Sequence, residues 1–274
     1  KGCTDNGTYT ILEPDFPIIS DIDSINVLCF GESTGSADLT VAGGTFPYSF
    51  LWSNAETTED INTLIAGTYT VTILDANGCD TTASITLIEP PAISVIESIT
   101  DITCYGYNDG KATLSLSGGT GTLTVDWNGM NPNALPQGTH SYTVTDDNGC
   151  AYNDDVTINE PLAISVLEST TDVSCNAGSN GTATLTLSGG TGTLTVDWNG
   201  MNPNNLLQGT HSYTVTDDNG CTYNDYVTIN QPPAISVLES TTDVSCNAGN
   251  NGTATLTLSG GTGTLTVDWN GMNP

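Results

Sequence analysis

A repeat of 71 residues constrains this chain more than any other feature of its sequence. Cys104, Cys175 and Cys246 lie 71 apart, and Cys79, Cys150 and Cys221 keep the same interval. Residues 163–203 and 234–274 align over 41 positions and differ only at Ser179 against Asn250. Residues 92–132 follow the template more loosely, and 15–90 form a remoter copy with four extra residues between Trp52 and Cys79. Self-similarity of this period signals an array of small units, each too small to bury its apolar face without its neighbours or a staple. The units are punctuated by Glu13-Pro14, Glu89-Pro90-Pro91, Glu160-Pro161 and Gln231-Pro232-Pro233. Proline fixes φ and has no N–H to donate, so these are read as joints between the last strand of one unit and the first of the next. The expected organisation is a C-terminal tail of a preceding repeat at 1–14, then repeat 1 at 15–90, repeat 2 at 91–161 and repeat 3 at 162–232. A truncated repeat 4 occupies 233–274, as though cropped from a longer array.

Within a repeat, apolar and polar residues alternate with the period of a half-buried strand, and no helical period survives. In repeat 2 this predicts strands near 92–99, 111–117, 122–128, 140–146 and 152–159. Leu114, Leu116, Leu123, Val125, Trp127, Tyr142, Val144, Val156 and Ile158 should face inward. The Gly118-Gly119-Thr120-Gly121 and Asn148-Gly149 segments fall between these runs, and Asn-Gly supplies the positive φ angles of a tight hairpin. The predicted fold is all-β, a tandem array of small immunoglobulin-like antiparallel β-sandwich domains of six or seven strands. Trp52, Trp127, Trp198 and Trp269, at equivalent points, are the expected core anchors.

Composition narrows the function. Two Lys or Arg stand against 31 Asp and Glu, a formal charge of −29, which repels nucleic-acid phosphates and anionic lipid headgroups. Neither nucleic-acid binding nor direct membrane insertion is expected, and no run approaches the ~20 apolar residues of a spanning helix. Recurrent Thr, Val, Ile, Tyr and Trp argue against disorder. Eight Cys at regular spacing in units this small are read as a disulfide framework, hence an oxidising, extracellular setting. Zinc is disfavoured because no C-x-x-C occurs and His140 and His211 are one repeat position seen twice.

Two pairings of the cysteines fit the spacing. The preferred one closes each repeat on itself: Cys29 with Cys79, Cys104 with Cys150, Cys175 with Cys221. It needs both partners at one end of the sandwich, hence an even number of intervening strands, which requires residues 132–137 to add a short one. Closing a loop of about 46 residues adds ~4 kcal/mol by chain entropy. The rival staples neighbouring repeats across the joints: Cys3 with Cys29, Cys79 with Cys104, Cys150 with Cys175, Cys221 with Cys246.

The pattern Cys-x4-Asn-Gly, Ala-Thr-Leu-x-Leu-Ser-Gly-Gly-Thr-Gly, Trp-x-Asn, then Gly-Thr-x-x-Tyr-x-Val-Thr-Asp-x-Asn-Gly-Cys resembles the SprB-type repeat over essentially the whole chain. Repeat 1 is closest, through Gly43–Tyr48, Leu51–Asn54, Ala66–Val71 and Asp75–Cys79. Repeats 2 to 4 depart from the pattern at Val125–Pro132 and its equivalents. The resemblance implies a very large surface protein of gliding bacteria, exported by type IX secretion and working as a motility adhesin at the cell surface.

No catalytic constellation repeats, and neither GxSxG nor HExxH is present, so no enzyme activity and no cofactor are expected. Asp75, Asp146, Asp147, Asp217 and Asp218 cluster oxygens in turns and are candidate calcium ligands, although Asp and Asn are also ordinary turn residues. Ser24 and Thr81, in Asp23-Ser24-Ile25 and Asp80-Thr81-Thr82, resemble the Asp-Ser/Thr-apolar O-glycosylation sites of gliding bacteria. Asn6, Asn180 and Asn251 begin N-glycan sequons. Two functions follow. One is a stalk or filament whose partners are neighbouring repeats of the same chain and other filament subunits. The other is a repetitive binding module whose exposed loops, such as Asn128–Pro132, engage surface glycans, a protein or the motility machinery.

Overall fold

The computed structural model describes residues 2–4, 7, 8 and 16–271. Most of the tail assigned to 1–14, including Asn6 and the Glu13-Pro14 joint, lies outside the described residues. Among the described residues all regular secondary structure is β, arranged as several small antiparallel sheets in tandem.

Repeat 1 contributes β1 (Ile19–Ile25), β2 (Gly35–Ala42), β3 (Ser49–Trp52), β4 (Ile61–Leu64), β5 (Gly67–Leu74) and β6 (Asp80–Leu87). They form two three-stranded sheets, ordered β1-β2-β4 and β3-β5-β6. Because side chains alternate faces along a strand, one face of each sheet is apolar. Ala37, Leu39, Ile61 and Leu64 from the first sheet meet Trp52, Val71, Ile73 and Leu87 from the second in one buried cluster. Trp52 is 2% exposed. Its indole N–H donates to the Thr58 carbonyl at 3.0 Å, so the largest buried ring leaves no polar atom unsatisfied.

The strand directions decide where each cysteine lies. The Val27 amide donates to the Ile88 carbonyl at 3.1 Å, joining the far ends of β1 and β6. At the near end, Gly44 donates to the Phe16 carbonyl and Thr45 to the Asp75 carboxylate, so β1 and β6 also begin together. Strand β4 runs with β1, since both are antiparallel to β2, and β3 runs with β6, since both are antiparallel to β5. Hence β3 and β4 run the same way, and residues 53–60 arch between sheets instead of reversing the chain.

Repeat 2 contains β7 (Ser94–Thr100), β8 (Lys111–Ser117), β9 (Thr124–Asp126), β10 (Gly138–Thr145) and β11 (Ala151–Ile158). Repeat 3 repeats the plan with β12 (Ser165–Thr171), β13 (Thr182–Ser188), β14 (Thr195–Asp197), β15 (Gly209–Thr216) and β16 (Thr222–Ile229). In both, the sheets have two and three strands, β7-β8 with β9-β10-β11 and β12-β13 with β14-β15-β16. The four residues that repeat 1 inserts after Trp52 let β4 form as a strand. In repeat 3 its counterpart shrinks to a single bridge, Gly181 to Leu206. Repeat 4 contributes β17 (Ser236–Thr242) paired with β18 (Thr253–Ser259). The expected strands of repeat 2 form, β9 being the shortest, and Val125 on it is exposed instead of core.

The Trp anchors hold only in part. Trp127, Trp198 and Trp269 are half-buried. Tyr142 and Tyr213 are the fully buried rings, with Trp127 and Trp198 packed on them at centroid distances of 5.0 and 5.3 Å. Their position is Val71 in repeat 1, so a larger ring takes the space and displaces the indole outward. The Tyr142 hydroxyl donates to Glu97 at 2.7 Å, and Tyr213 donates to Glu168 at 2.6 Å. Burial and these carboxylate partners push both phenols well above the ordinary range.

The chain divides into two compact units: Lys1–Thr100 with Ala112–Thr157, and Asp101–Lys111 with Ile158–Pro274. The loop carrying Cys104 therefore groups with repeat 3, and the staple described next gives the reason.

Candidate functional site

The joints hold the chemistry. In the first unit, the loop after β1 carries Leu28-Cys29-Phe30-Gly31 to the end of repeat 1 where β6 finishes. Gly31 donates its amide to the Glu89 carboxylate at 2.6 Å, and Leu28 donates to Thr34 Oγ1 at 2.8 Å. Glu89 immediately precedes Pro90, so this latch fixes the loop against the point where the chain leaves the repeat. The β10-β11 hairpin of repeat 2 meets the loop: Asn148 Nδ2 donates to the Leu28 carbonyl at 3.0 Å, and Cys150 is disulfide-bonded to Cys29 with Cα atoms 5.5 Å apart. Phe30, Pro90, Pro91, Ile93 and Tyr152 border a cavity of about 210 Å³ beside the bond.

The second unit repeats this arrangement. Gly106 donates to Glu160 at 3.0 Å, Asn219 Nδ2 donates to the Thr103 carbonyl at 3.1 Å, and Cys104 is bonded to Cys221 with Cα atoms 5.6 Å apart. Tyr105, Tyr107, Pro161, Ile164 and Tyr223 border a second cavity of about 210 Å³.

Neither expected pairing forms, and Cys3, Cys79, Cys175 and Cys246 are free and exposed. Cys79 sits at the β5-β6 turn, whereas Cys29 lies at the opposite end of the sandwich. The eight residues of β6 between those ends span about 26 Å, far beyond the ~7 Å that a disulfide tolerates between Cα atoms. The strand-parity argument fails because β3 and β4 share a direction, which removes one reversal. The rival pairing fails because it joins the first cysteine of each repeat to the second cysteine of the repeat before it. The bonds run the other way, from the first cysteine of one repeat to the second cysteine of the next.

The candidate calcium ligands are committed elsewhere. Asp146 accepts the amides of Asn148 and Cys150 on Oδ1 and that of Thr120 on Oδ2, all at 2.9 Å. Asp217 accepts Asn219, Cys221 and Thr191 between 2.8 and 3.0 Å, and Asp75 accepts Asn77, Cys79 and Thr45 between 2.9 and 3.0 Å. For Asp146 and Asp217, burial pushes the carboxyl upward but the backbone donors outweigh it. For Asp75 the Cys79 amide leads, and all three stay below the ordinary 3.8. Exposed Asp147 and Asp218 accept the Thr122 and Thr193 amides at 3.0 and 2.9 Å. A carboxylate ringed by N–H donors sits in an anion cradle, which is the wrong polarity for a hard cation. Among the described residues no cluster of His, Cys, Asp or Glu is arranged to hold a metal. These carboxylates shape the hairpin that presents the second cysteine. Gly121, in the corner between β8 and β9, lets that corner close on the hairpin, because a Cβ there would lie 2.0 Å from Asp147 Oδ2.

Ser24 is exposed on β1 and Thr81 is half-buried on β6. Asn180 and Asn251 brace the cysteine loops, accepting the Ser174 and Ser245 amides at 3.0 Å, the task of Thr34 in repeat 1 and of Asp109 in repeat 2. Sequence reasoning missed the latch. Its signal was present, since the residue before the first proline of each joint is Glu or Gln, and Gln231 likewise accepts the Ala177 amide at 2.9 Å.

Small β-sandwiches in tandem, with disulfides binding each to the next, define a repetitive protein of the extracellular space or cell surface. The chain belongs to the SprB repeat family, whose pattern matches at residues 22–57, 96–131, 167–202 and 238–273, together just over half of its length. Comparison with curated proteins gives no match. Among solved structures the chain is similar to domains 4–9 of the surface layer protein SbsC, at 12% identity and a TM-score of 0.23, over 80% of this chain and 48% of that one. A likeness this distant bears on neither function nor assembly.

Proposed function

We propose that the chain is a non-catalytic stalk of a secreted surface protein, supporting cell adhesion or gliding motility by resisting tension between its ends. The observation that carries this reading is the covalent bond across a joint. A Pro hinge alone would leave successive repeats tethered by one strand of backbone, whereas the staple adds a second covalent path. The two staples interleave along the sequence, with Cys104 inside the loop that Cys29 and Cys150 close. Pulling the ends apart therefore stretches the short route through both disulfides, not the whole chain. Its partners in this reading are neighbouring repeats and other filament subunits.

Single-molecule stretching tests the proposal. The oxidised chain should extend to roughly half the contour length of the reduced chain, at ~3.5 Å per residue on the accessible route. Equal lengths with and without reductant contradict it. A second reading, glycan binding, draws on Phe30, Tyr105 and Tyr107, which are exposed beside the joint cavities and offer flat rings for sugar stacking. Retention of one glycan class on an array, lost in Tyr105→Ala with Tyr107→Ala, would favour that reading over a passive stalk.

A further inference from the structure

Three joints among the described residues carry the same framework, and two of them are filled. At the filled ones, the first cysteine of a repeat, the following Pro-x-Ala-Ile strand and the Gly-Gly corner of the next repeat surround a hairpin. These are Cys29, Pro90, Ala92, Ile93 and Gly119 around Asp146–Cys150, then Cys104, Pro161, Ala163, Ile164 and Gly190 around Asp217–Cys221. The third has Cys175, Pro232, Ala234, Ile235 and Gly261 in the same places. Its latch is closed, because Gln231 accepts the Ala177 amide and Asn176 Nδ2 donates to the Pro232 carbonyl at 3.1 Å. Among the described residues no hairpin lies against it. The cavity there measures about 330 Å³ against about 210 Å³ at each filled joint, and Cys175 is exposed and free.

We propose that this face is an acceptor for an Asp-Asp-Asn-Gly-Cys β-hairpin, of the kind seen at Asp146–Cys150 and Asp217–Cys221, when a full-length repeat stands in the place of residues 233–274, and that Cys175 captures the hairpin cysteine as a disulfide. Two further observations support it. Strand β17 is uncovered: all of its residues are exposed, whereas its counterpart β12 keeps Val166 half-buried against the repeat 3 core. The four free cysteines are also those that a rule pairing the first cysteine with the second of the next repeat leaves without a partner in this chain. Cys3 and Cys79 are second-type and Cys175 and Cys246 first-type. Bond formation oxidises two thiols, releases two protons, and passes two electrons to a small-molecule disulfide, which is reduced to two thiols. The inference rests on joint geometry and stands apart from the stalk reading.

The test extends the chain after Pro274 with a second copy of residues 204–232, which supplies one copy of the hairpin and its cysteine. The extended protein is oxidised in a glutathione buffer and its free thiols are counted by alkylation and mass spectrometry. The rule predicts three free thiols, at Cys3, Cys79 and Cys246, with Cys175 protected and linked to the added cysteine. Protection of Cys246 in place of Cys175 would mean that the repeat closes on itself and would overturn the proposal. So would five free thiols in an extended protein whose added strands are folded by circular dichroism. In Cys175→Ser the added cysteine should become alkylatable. If it stayed protected there, its partner would be another residue and the proposal would fail.

Discussion

Repeat 1 and repeats 2 and 3 enclose the same sandwich around different centres. In repeat 1 the centre is apolar: Trp52 is fully buried, Val71 lies beside it, and Ile22 packs on the cluster from β1. In repeats 2 and 3 the valine becomes Tyr142 or Tyr213, the isoleucine becomes Glu97 or Glu168, and the indole moves to the margin. Neither change is tolerable alone. A carboxylate facing Val71 would lack a donor, and a tyrosine facing Ile22 would bury a hydroxyl without an acceptor. The pair exchanges as a unit, which shows that the fold requires a filled layer between sheets rather than one anchoring residue.

The sharpest way to break the comparison is to truncate the equivalent indoles. Trp52→Ala should cost about 3–5 kcal/mol in urea unfolding, whereas Trp127→Ala, whose ring is only half-buried, should cost roughly 1–2 kcal/mol. Equal losses would show that both rings anchor alike. Next in size is the tyrosine–carboxylate pair. Tyr142→Phe should cost about 1 kcal/mol, and Ile22→Glu in repeat 1 should cost more until Val71→Tyr is added. If the double variant recovered nothing, the exchange would not be a unit.

A smaller effect concerns the hairpin carboxylates. Asp146 is held below 3.8 in the folded state, so its contribution is complete above that pH and is lost as pH falls through the lowered folded value. Asp146→Asn should therefore be less stable than the native protein at neutral pH, with the gap in thermal melts closing as pH falls below the ordinary 3.8 and through the lowered folded value. A gap that is constant down to pH 2 would contradict the assignment. The smallest expected effect is none: neither chelator nor millimolar calcium should move Tm, because the buried Asp oxygens are already occupied by amides. A rise of several degrees with calcium would reopen the metal reading.

Much of the fold was legible because a period of two and the Pro and Asn-Gly punctuation are local properties. The strands of repeat 2 lie within a few residues of their expected spans, and Tyr142, Val144, Val156 and Ile158 are buried as alternation requires. The cysteine partners were not legible, because they depend on strand direction across two sheets. The arch at 53–60, which makes β3 and β4 run together, leaves no mark in the hydrophobic pattern. Alternation and the immunoglobulin-like pattern point Trp127 inward, but which ring occupies the centre depends on residue volumes on three strands at once. Proline marks the Glu-Pro joints, but nothing local shows that the glutamate side chain also closes the loop that holds the cysteine.

In repeats 1 and 2 the first cysteine bonds to the second cysteine of the following repeat. Proteolysis of the oxidised protein without reductant, followed by mass spectrometry of the linked peptides, tests it directly. The account predicts peptides joining Cys29 to Cys150 and Cys104 to Cys221. Peptides joining Cys29 to Cys79, or Cys104 to Cys150, would contradict it.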